Sequence, residues 1–483
     1  MASTRLTFEH VLLACSLLVC LVSVVAYHGY TSGDFVPGQP SEYMKSDGGF
    51  ESNWGSDTDT KPLIDEDFGT WILVMEPSTL RPPHFVDAHM LMAVLQGTAR
   101  AGILNDKGEE TGVRSFRRGD VIALPAGHAV WILNNDTQQK FSMLGGVRPV
   151  TVPREPSKWE AFPLVAGEVS GKKSILHGFT KDVLAEAFNV DEGLVEDVRS
   201  KAPETSVSVS ASASDPVLRL DKLSAASCWE MVKPARARTI KLGAAELLAM
   251  EHELSLREQQ SPHKDDGYIY NIDKADPDYE AEGGQVTLLD SKDFPILKNL
   301  TLGAVKTSLK PGAMVLPHYD PTSSLLGFIT AGRARIQVAQ PDGSTGTDEE
   351  LGPGEVFVVP RFFPLVQKSV GDHNLEWIGF TTTACSRMKT VFLAGKKSVY
   401  KSVPNTILAA ATDLDKTKIK QWLENQPEEC IAQREKSDGE ELGEVEIVIE
   451  EIVDGLGRVK GAVIEILEEV YSGGAESEES QEV

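Results

Sequence analysis

Residues 81–97, RPPHFVDAHMLMAVLQG, set two histidines and an aspartate just ahead of an apolar run that a glycine closes. His84, Asp87 and His89, with His128 in the later Pro-Ala-Gly-His, are side chains that could hold a divalent cation. Such an ion needs about four or more N, O or S donors converging at about 2.0–2.6 Å. In an extended segment His84 and His89 have opposite parity and leave on opposite faces. The spacing therefore predicts histidines at the surface or the rim, ending their strands, and no shared ion. Other chemistry has less support. No Ser/His/Asp or Cys/His arrangement has a supporting context, and neither a Gly-x-Gly-x-x-Gly nor a Walker loop occurs. Cys385, alone in TTTACSRMK, is expected to be a small buried residue. Glu109-Glu110 falls in a hairpin turn, where solvated acids belong.

The elements that would position such residues are written twice. SGKKSIL at 170–176 recurs as AGKKSVY at 394–400, and DVLAEAFNVD at 182–191 aligns with TILAAATDLD at 406–415, both at an offset of 224. Upstream, GDVIALP at 119–125 matches GEVFVVP at 354–360, and Gly97 falls on Gly332, at an offset of 235. Blocks in one order indicate a duplicated domain. In each copy, short β-prone runs such as TWILVMEP, MLMAVLQG and AVWILNN are punctuated by turn residues, which predicts a sandwich or barrel. A helical arm follows. Leu184, Ala187 and Phe188, then Leu194, Val195 and Val198, share a face, and Asp191 is placed to cap the second helix. Leu408, Ala411, Ile419, Trp422 and Leu423 repeat that pattern.

The 483 residues carry a net charge of −25 and show no basic cluster, which argues against nucleic acid as a partner. Residues 1–26 read as a secretory signal: Arg5, an apolar run over 11–26, and Val24-Val25-Ala26 ahead of cleavage before Tyr27. The run is short of the roughly 20 residues a bilayer span needs, so no membrane role is expected. Cys15 and Cys20 leave with the signal; among Cys228, Cys385 and Cys430 one disulfide is open, its pairing unassigned. Asn135 and Asn299 head N-glycosylation sequons. The expected organisation is a flexible Gly/Ser/Asp-rich arm at 27–60, a first barrel with its helical arm at 61–205, a Ser-rich linker at 206–217, and a second barrel with its arm at 218–426. The tail at 427–483 holds 18 acidic and 4 basic residues, and its apolar residues from Val445 to Val470 recur at helical steps.

Around each predicted barrel the order of elements resembles the cupin family, whose two motifs supply three histidines and a glutamate to a metal. Counted back from Gly97, the matching positions are His84, Val86 and Met90, with Val130 from the second motif. Counted back from Gly332 they are His318, Asp320 and Leu325, with Leu365 from the second motif. Apolar side chains offer a metal no lone pair, so the first site keeps one donor of four and the second a histidine with an aspartate; neither metal nor other cofactor is expected. LPHYD at 316–320, VVPRFF at 358–363, EWIGFTT at 376–382, AGKKSVYKSVPNTIL at 394–408 and ILHGFTKDVLAEAFNV at 175–190 further resemble the two-barrel seed storage globulins of the legumin and vicilin type. That resemblance implies a mainly β bicupin of two jelly-roll barrels, a homotrimer joined through the arms, and delivery by the secretory pathway to storage vacuoles as a nutrient reservoir. The Asn-Gly legumin cleavage site is missing, which favours an uncleaved, vicilin-like trimer. The alternative reading is a binding protein that takes a sugar or an organic anion in a barrel lined by His84 and His318.

Overall fold

The computed structural model describes residues 30–37, 42–46, 48–54, 61–150, 159–165, 168–169, 172–200, 240–260, 267–384 and 390–433. The signal, the linker at 206–217, Cys228, Cys385 and the tail beyond 433 lie outside the described residues. Four antiparallel sheets form two barrels. The first is a seven-stranded sheet facing a sheet built around Thr79–Val86, Ala129–Asn134, Thr98–Leu104 and Glu110–Arg117. The second pairs a sheet containing Gly303–Leu309, Leu375–Thr381, Leu325–Ala331 and Val356–Val359 with one containing Arg333–Ala339, Leu365–Val370 and Ala313–Tyr319.

The barrels stand back to back, and this explains strands that are apolar on both faces. Along Ala88–Gln96, Met90, Met92 and Val94 point into the first barrel's core. Leu91, Ala93 and Leu95 point the other way, into a core shared with Leu326, Phe328, Val358 and Phe380 of the second barrel. A two-residue period on a sheet covered on both sides gives such a run.

The duplication is visible in detail. Gly97 and Gly332 both take positive φ, +75° and +70°, where an added Cβ would lie 2.4 and 2.3 Å from a backbone oxygen. Side-chain-to-backbone bonds repeat at the offset of 224. Asp191 accepts from the Leu194 amide and Asp415 from those of Thr417 and Lys418, each starting the second helix of an arm. Ser174 and Ser398 each donate to a carbonyl and accept from the amide two residues on. Leu184 and Val195 of the first arm, like Leu408 and Ile419 of the second, are buried.

Three expected boundaries are corrected. Within the segment expected as a flexible arm, Glu42–Ser46 and Gly49–Trp54 form a hairpin at one end of the seven-stranded sheet. Its composition is loose, yet alternate residues find a sheet edge to pair with. Ahead of it, the short helix Ser32–Phe35 buries Phe35 completely in the second barrel's core. The boundary at 218 also shifts. Ile240–Lys241 and Ile269–Asn271 pair with strands of the first barrel. Between them Ala244–Gln260 forms a helix, pinned to that barrel by Arg100 to Glu251 and Glu258 and by Arg257 to Glu110. The two halves thus exchange segments. Within the expected tail, Ile431–Gln433 pairs with Ala313–Tyr319 of the second barrel. Among the described residues no helix is long and apolar enough to cross a membrane.

Candidate functional site: the two barrel interiors

A β-bulge sets the first interior. Between Arg81 and His84 the register of Thr79–Val86 against Ala129–Asn134 slips, so residues three apart turn towards one another. Pro82 and Pro83 supply the interruption, since neither can donate to the ladder. His84 then faces Val130 across the strands. The second barrel repeats this: the register slips between Val315 and His318, and His318 faces Leu365. Each histidine ties Nδ1 to the carbonyl two residues back, Pro82 at 2.9 Å and Leu316 at 2.7 Å. That bond puts the imidazole proton on Nδ1 and leaves Nε2 as the acceptor.

The structure brings together all the positions counted from sequence. His84, Val86, Met90 and Val130 line a cavity of about 20 Å³ in the first barrel. His318, Asp320, Leu325 and Leu365 line one of about 70 Å³ in the second. A water needs about 10–15 Å³ of such space, so each cavity has room for at least one.

The first interior is closed by an ion pair that sequence reasoning missed. Arg81 and Glu51 approach to 2.7 Å, both side chains about 6% exposed. The guanidinium lies 5.9 Å from the centre of the Trp71 ring, and its Nε points at His84 Nε2 over 3.4 Å. A tethered cation thus stands beside the one remaining imidazole, with its countercharge carried in by the N-terminal hairpin. The sequence signal was a lone arginine, three residues ahead of His84, on a strand whose neighbours are buried.

Among the described residues lining the second interior there is no lysine or arginine to form such a pair. Asp320 Oδ1 accepts from Thr322 N, Thr322 Oγ1 and Ser323 N. Its other oxygen is buried without a hydrogen-bond partner, as are Thr307 Oγ1, Gln367 Oε1 and Trp377 Nε1. All four residues line the same cavity. Each such atom costs about 1–3 kcal/mol relative to a satisfied one. Burial holds the pKa of His318 below the ordinary histidine value, with the Leu316 carbonyl and Asp320 acting against it, so the ring is neutral at neutral pH.

Neither donor set fits a divalent cation. In the first barrel three of four positions are apolar and the imidazole Nε2 faces a guanidinium. In the second, one imidazole and one carboxylate oxygen remain. Among the described residues no three His, Cys, Asp or Glu side chains gather as metal ligands. His89 accepts instead from the Ala126 amide at 3.1 Å, and His128 meets the Tyr268 hydroxyl at 3.1 Å. Asn299 is exposed on the short helix Leu297–Leu300, and Asn135 is half-buried in a turn. Cys430 is a free thiol.

Two barrels of this topology in one chain define a bicupin, a class in which the interior of each barrel is the place for chemistry. The cupin family pattern matches residues 37–147 and 270–420, and the chain belongs to that family. It is 26% identical to a vicilin-like seed storage protein of Arabidopsis thaliana, over 76% of this chain and 74% of the relative. It is 27% identical to an 11S globulin seed storage protein of Anacardium occidentale, over 75% and 84%. Vicilin from Solanum lycopersicum (tomato) superposes with a TM-score of 0.67 at 20% identity, covering 83% of this chain and 99% of that one. Recombinant pro-11S globulin of pumpkin gives 0.66 at 22%, covering 84% and 99%.

Proposed function

We propose that this chain is a non-enzymatic seed storage globulin, a nutrient reservoir of the vicilin-like, uncleaved type. The observation that carries the reading is a complete bicupin frame in which Val86, Met90, Val130, Leu325 and Leu365 stand where metal donors would be needed. The relatives named above are seed storage proteins, which supports the same role here. The exposed side of each arm supports self-association. Phe179, Val183, Phe188, Leu194 and Val198 in the first arm, and Ile407, Leu414 and Trp422 in the second, are large apolar side chains facing solvent. A closed ring of copies, each arm covering a neighbour, buries them without leaving an open end; the resemblance to storage globulins makes that ring a homotrimer. Passage through the secretory pathway to a storage vacuole completes the reading.

The test is abundance through time. Quantitative mass spectrometry across seed maturation and germination is expected to show the protein among the dominant species at maturity and its loss as the seedling grows. A constant, scarce protein overturns the reservoir role. Light scattering on the purified protein reports the trimer, and elemental analysis after dialysis checks the metal reading: a stoichiometric transition metal overturns it.

A further inference from the structure

We propose that the outer face of the second helical arm is the docking surface of this chain's own acidic tail, residues 434–483, and that the docked tail restrains self-association. The docking does not depend on the storage role; the restraint rests on the contact between arms and neighbouring copies proposed above.

The two arms share a frame and differ in charge. Residues 175–200 of the first carry two basic and six acidic side chains, and residues 399–424 of the second carry four and three. Two of the three carboxylates in the second arm are already engaged. Asp415 caps the helix Lys416–Glu424 through the amides of Thr417 and Lys418, and Glu424 lies 3.7 Å from Lys420. Lys401, Lys416 and Lys418 are exposed, with no carboxylate at ion-pair distance among the described residues. On the same arm Ile407, Leu414 and Trp422 face solvent, and the Tyr400 ring steadies Trp422 from 5.0 Å. Lys418 and Trp422 stand four residues apart, on one side of their helix. Cations set among exposed apolar side chains suit a partner that is acidic and apolar at once.

The tail has that composition. Residues 434–483 hold sixteen acidic and four basic side chains, and residues 444–454 hold five acidic and no basic ones. Val445, Val448 and Ile452 lie among those carboxylates. The described chain also ends in the right place. Ile431–Gln433 pairs with Ala313–Tyr319, the strand that also pairs Val391–Phe392 just ahead of the arm. Lys396 meets Glu428 at 3.1 Å and ties the two ends of this region together. From Gln433 to Glu444 the chain reaches up to about 35 Å, against a length of roughly 13 Å for the helix Lys416–Glu424. A short tether gives an effective concentration on the order of millimolar, so weak contacts suffice. The first arm, with its excess of carboxylates, repels the same segment. A neighbouring copy that covers the second arm must first displace the tail.

The test is zero-length cross-linking of the full-length protein with a water-soluble carbodiimide, which joins an amine to a carboxylate in direct contact. Mixing isotope-labelled and unlabelled copies separates links within a chain from links between chains. The expected links lie within one chain, from Lys401, Lys416, Lys418 or Lys420 to carboxylates at 444–469, and rarely from Lys181 of the first arm. Lys416→Glu with Lys418→Glu should cut the remaining links at Lys401 and Lys420 roughly fivefold. Glu444→Gln, Glu446→Gln, Glu450→Gln, Glu451→Gln and Asp454→Asn together should let the protein self-associate at roughly tenfold lower concentration in sedimentation velocity. Links only between chains, links spread evenly over surface lysines, or links at Lys401 and Lys420 indifferent to the double reversal would each overturn the docking. Association unchanged or weakened by the five tail substitutions, or a gain just as large when Lys416 and Lys418 are reversed, would overturn the restraint. A protein that stays monomeric in every form overturns the ring of copies and the restraint with it, while the docking stands or falls by the cross-links.

Discussion

The two barrels share one ancestor and one frame, and their interiors have diverged in opposite directions. The equivalent histidines, His84 and His318, sit after equivalent bulges and make the same Nδ1 bond. Around His84 the space is taken by the Arg81–Glu51 pair, and the residues lining that cavity hold no buried orphan atom. Around His318 the space stays open and four polar atoms lack partners. The frame does not dictate what fills it: one interior holds a buried ion pair of its own, while the other holds buried polar atoms without a partner.

The sharpest way to break this contrast is to open the seal. Arg81→Met takes the guanidinium countercharge away from buried Glu51 and should destabilise the protein by about 3–5 kcal/mol, read from urea denaturation. Arg81→Met with Glu51→Leu should recover most of that loss; equal losses in the single and double variants would show that the pair is not one unit. Phe35→Ala removes a fully buried ring from the second core and should cost about 3 kcal/mol. If the two barrels differ as described, that loss shows in the second barrel's hydrogen exchange before the first's. Thr307→Val should be neutral or stabilising by up to about 1 kcal/mol, because it replaces an orphan hydroxyl with a methyl. A clear destabilisation would show that the hydroxyl already has a partner.

The smallest effect is that of pH. Burial lowers the pKa of His318, of His128 and, with help from the Arg148 charge, of His89. A histidine kept neutral by folding binds its proton more readily when unfolded, so stability is complete above the unfolded value of about 6.5 and falls as pH drops below it. His318→Asn should remove part of that slope in melting temperature against pH, whereas an unchanged slope would assign it to His89 and His128.

Much of this was legible in the sequence because it is local or repeated. The cap at Asp191 and the glycines at 97 and 332 are fixed by backbone needs that a few residues express. Of the positions named from sequence, His84, Val86, Met90 and Val130 line one cavity and His318, Asp320, Leu325 and Leu365 the other. The Arg81–Glu51 pair was not legible, since Pro82-Pro83 breaks the alternation that parity arguments assume and Glu51 arrives from a hairpin whose composition reads as loose. Nor were the orphan atoms. Thr307, Gln367 and Trp377 are ordinary strand residues, and only the closing of the barrel puts them around one void. The helix Ala244–Gln260 escaped as well, counted from sequence within the second barrel at 218–426.

The early clasp of Tyr30–Val36 on the second barrel carries a timetable. The Tyr30 carbonyl accepts from the Gln340 side chain, 310 positions further along the chain. At a ribosome's pace of about 5–20 residues per second, that partner emerges about 15–60 s after the clasp does. For that interval Phe35 has no home, and the half made last is the one that gives shelter to the part made first.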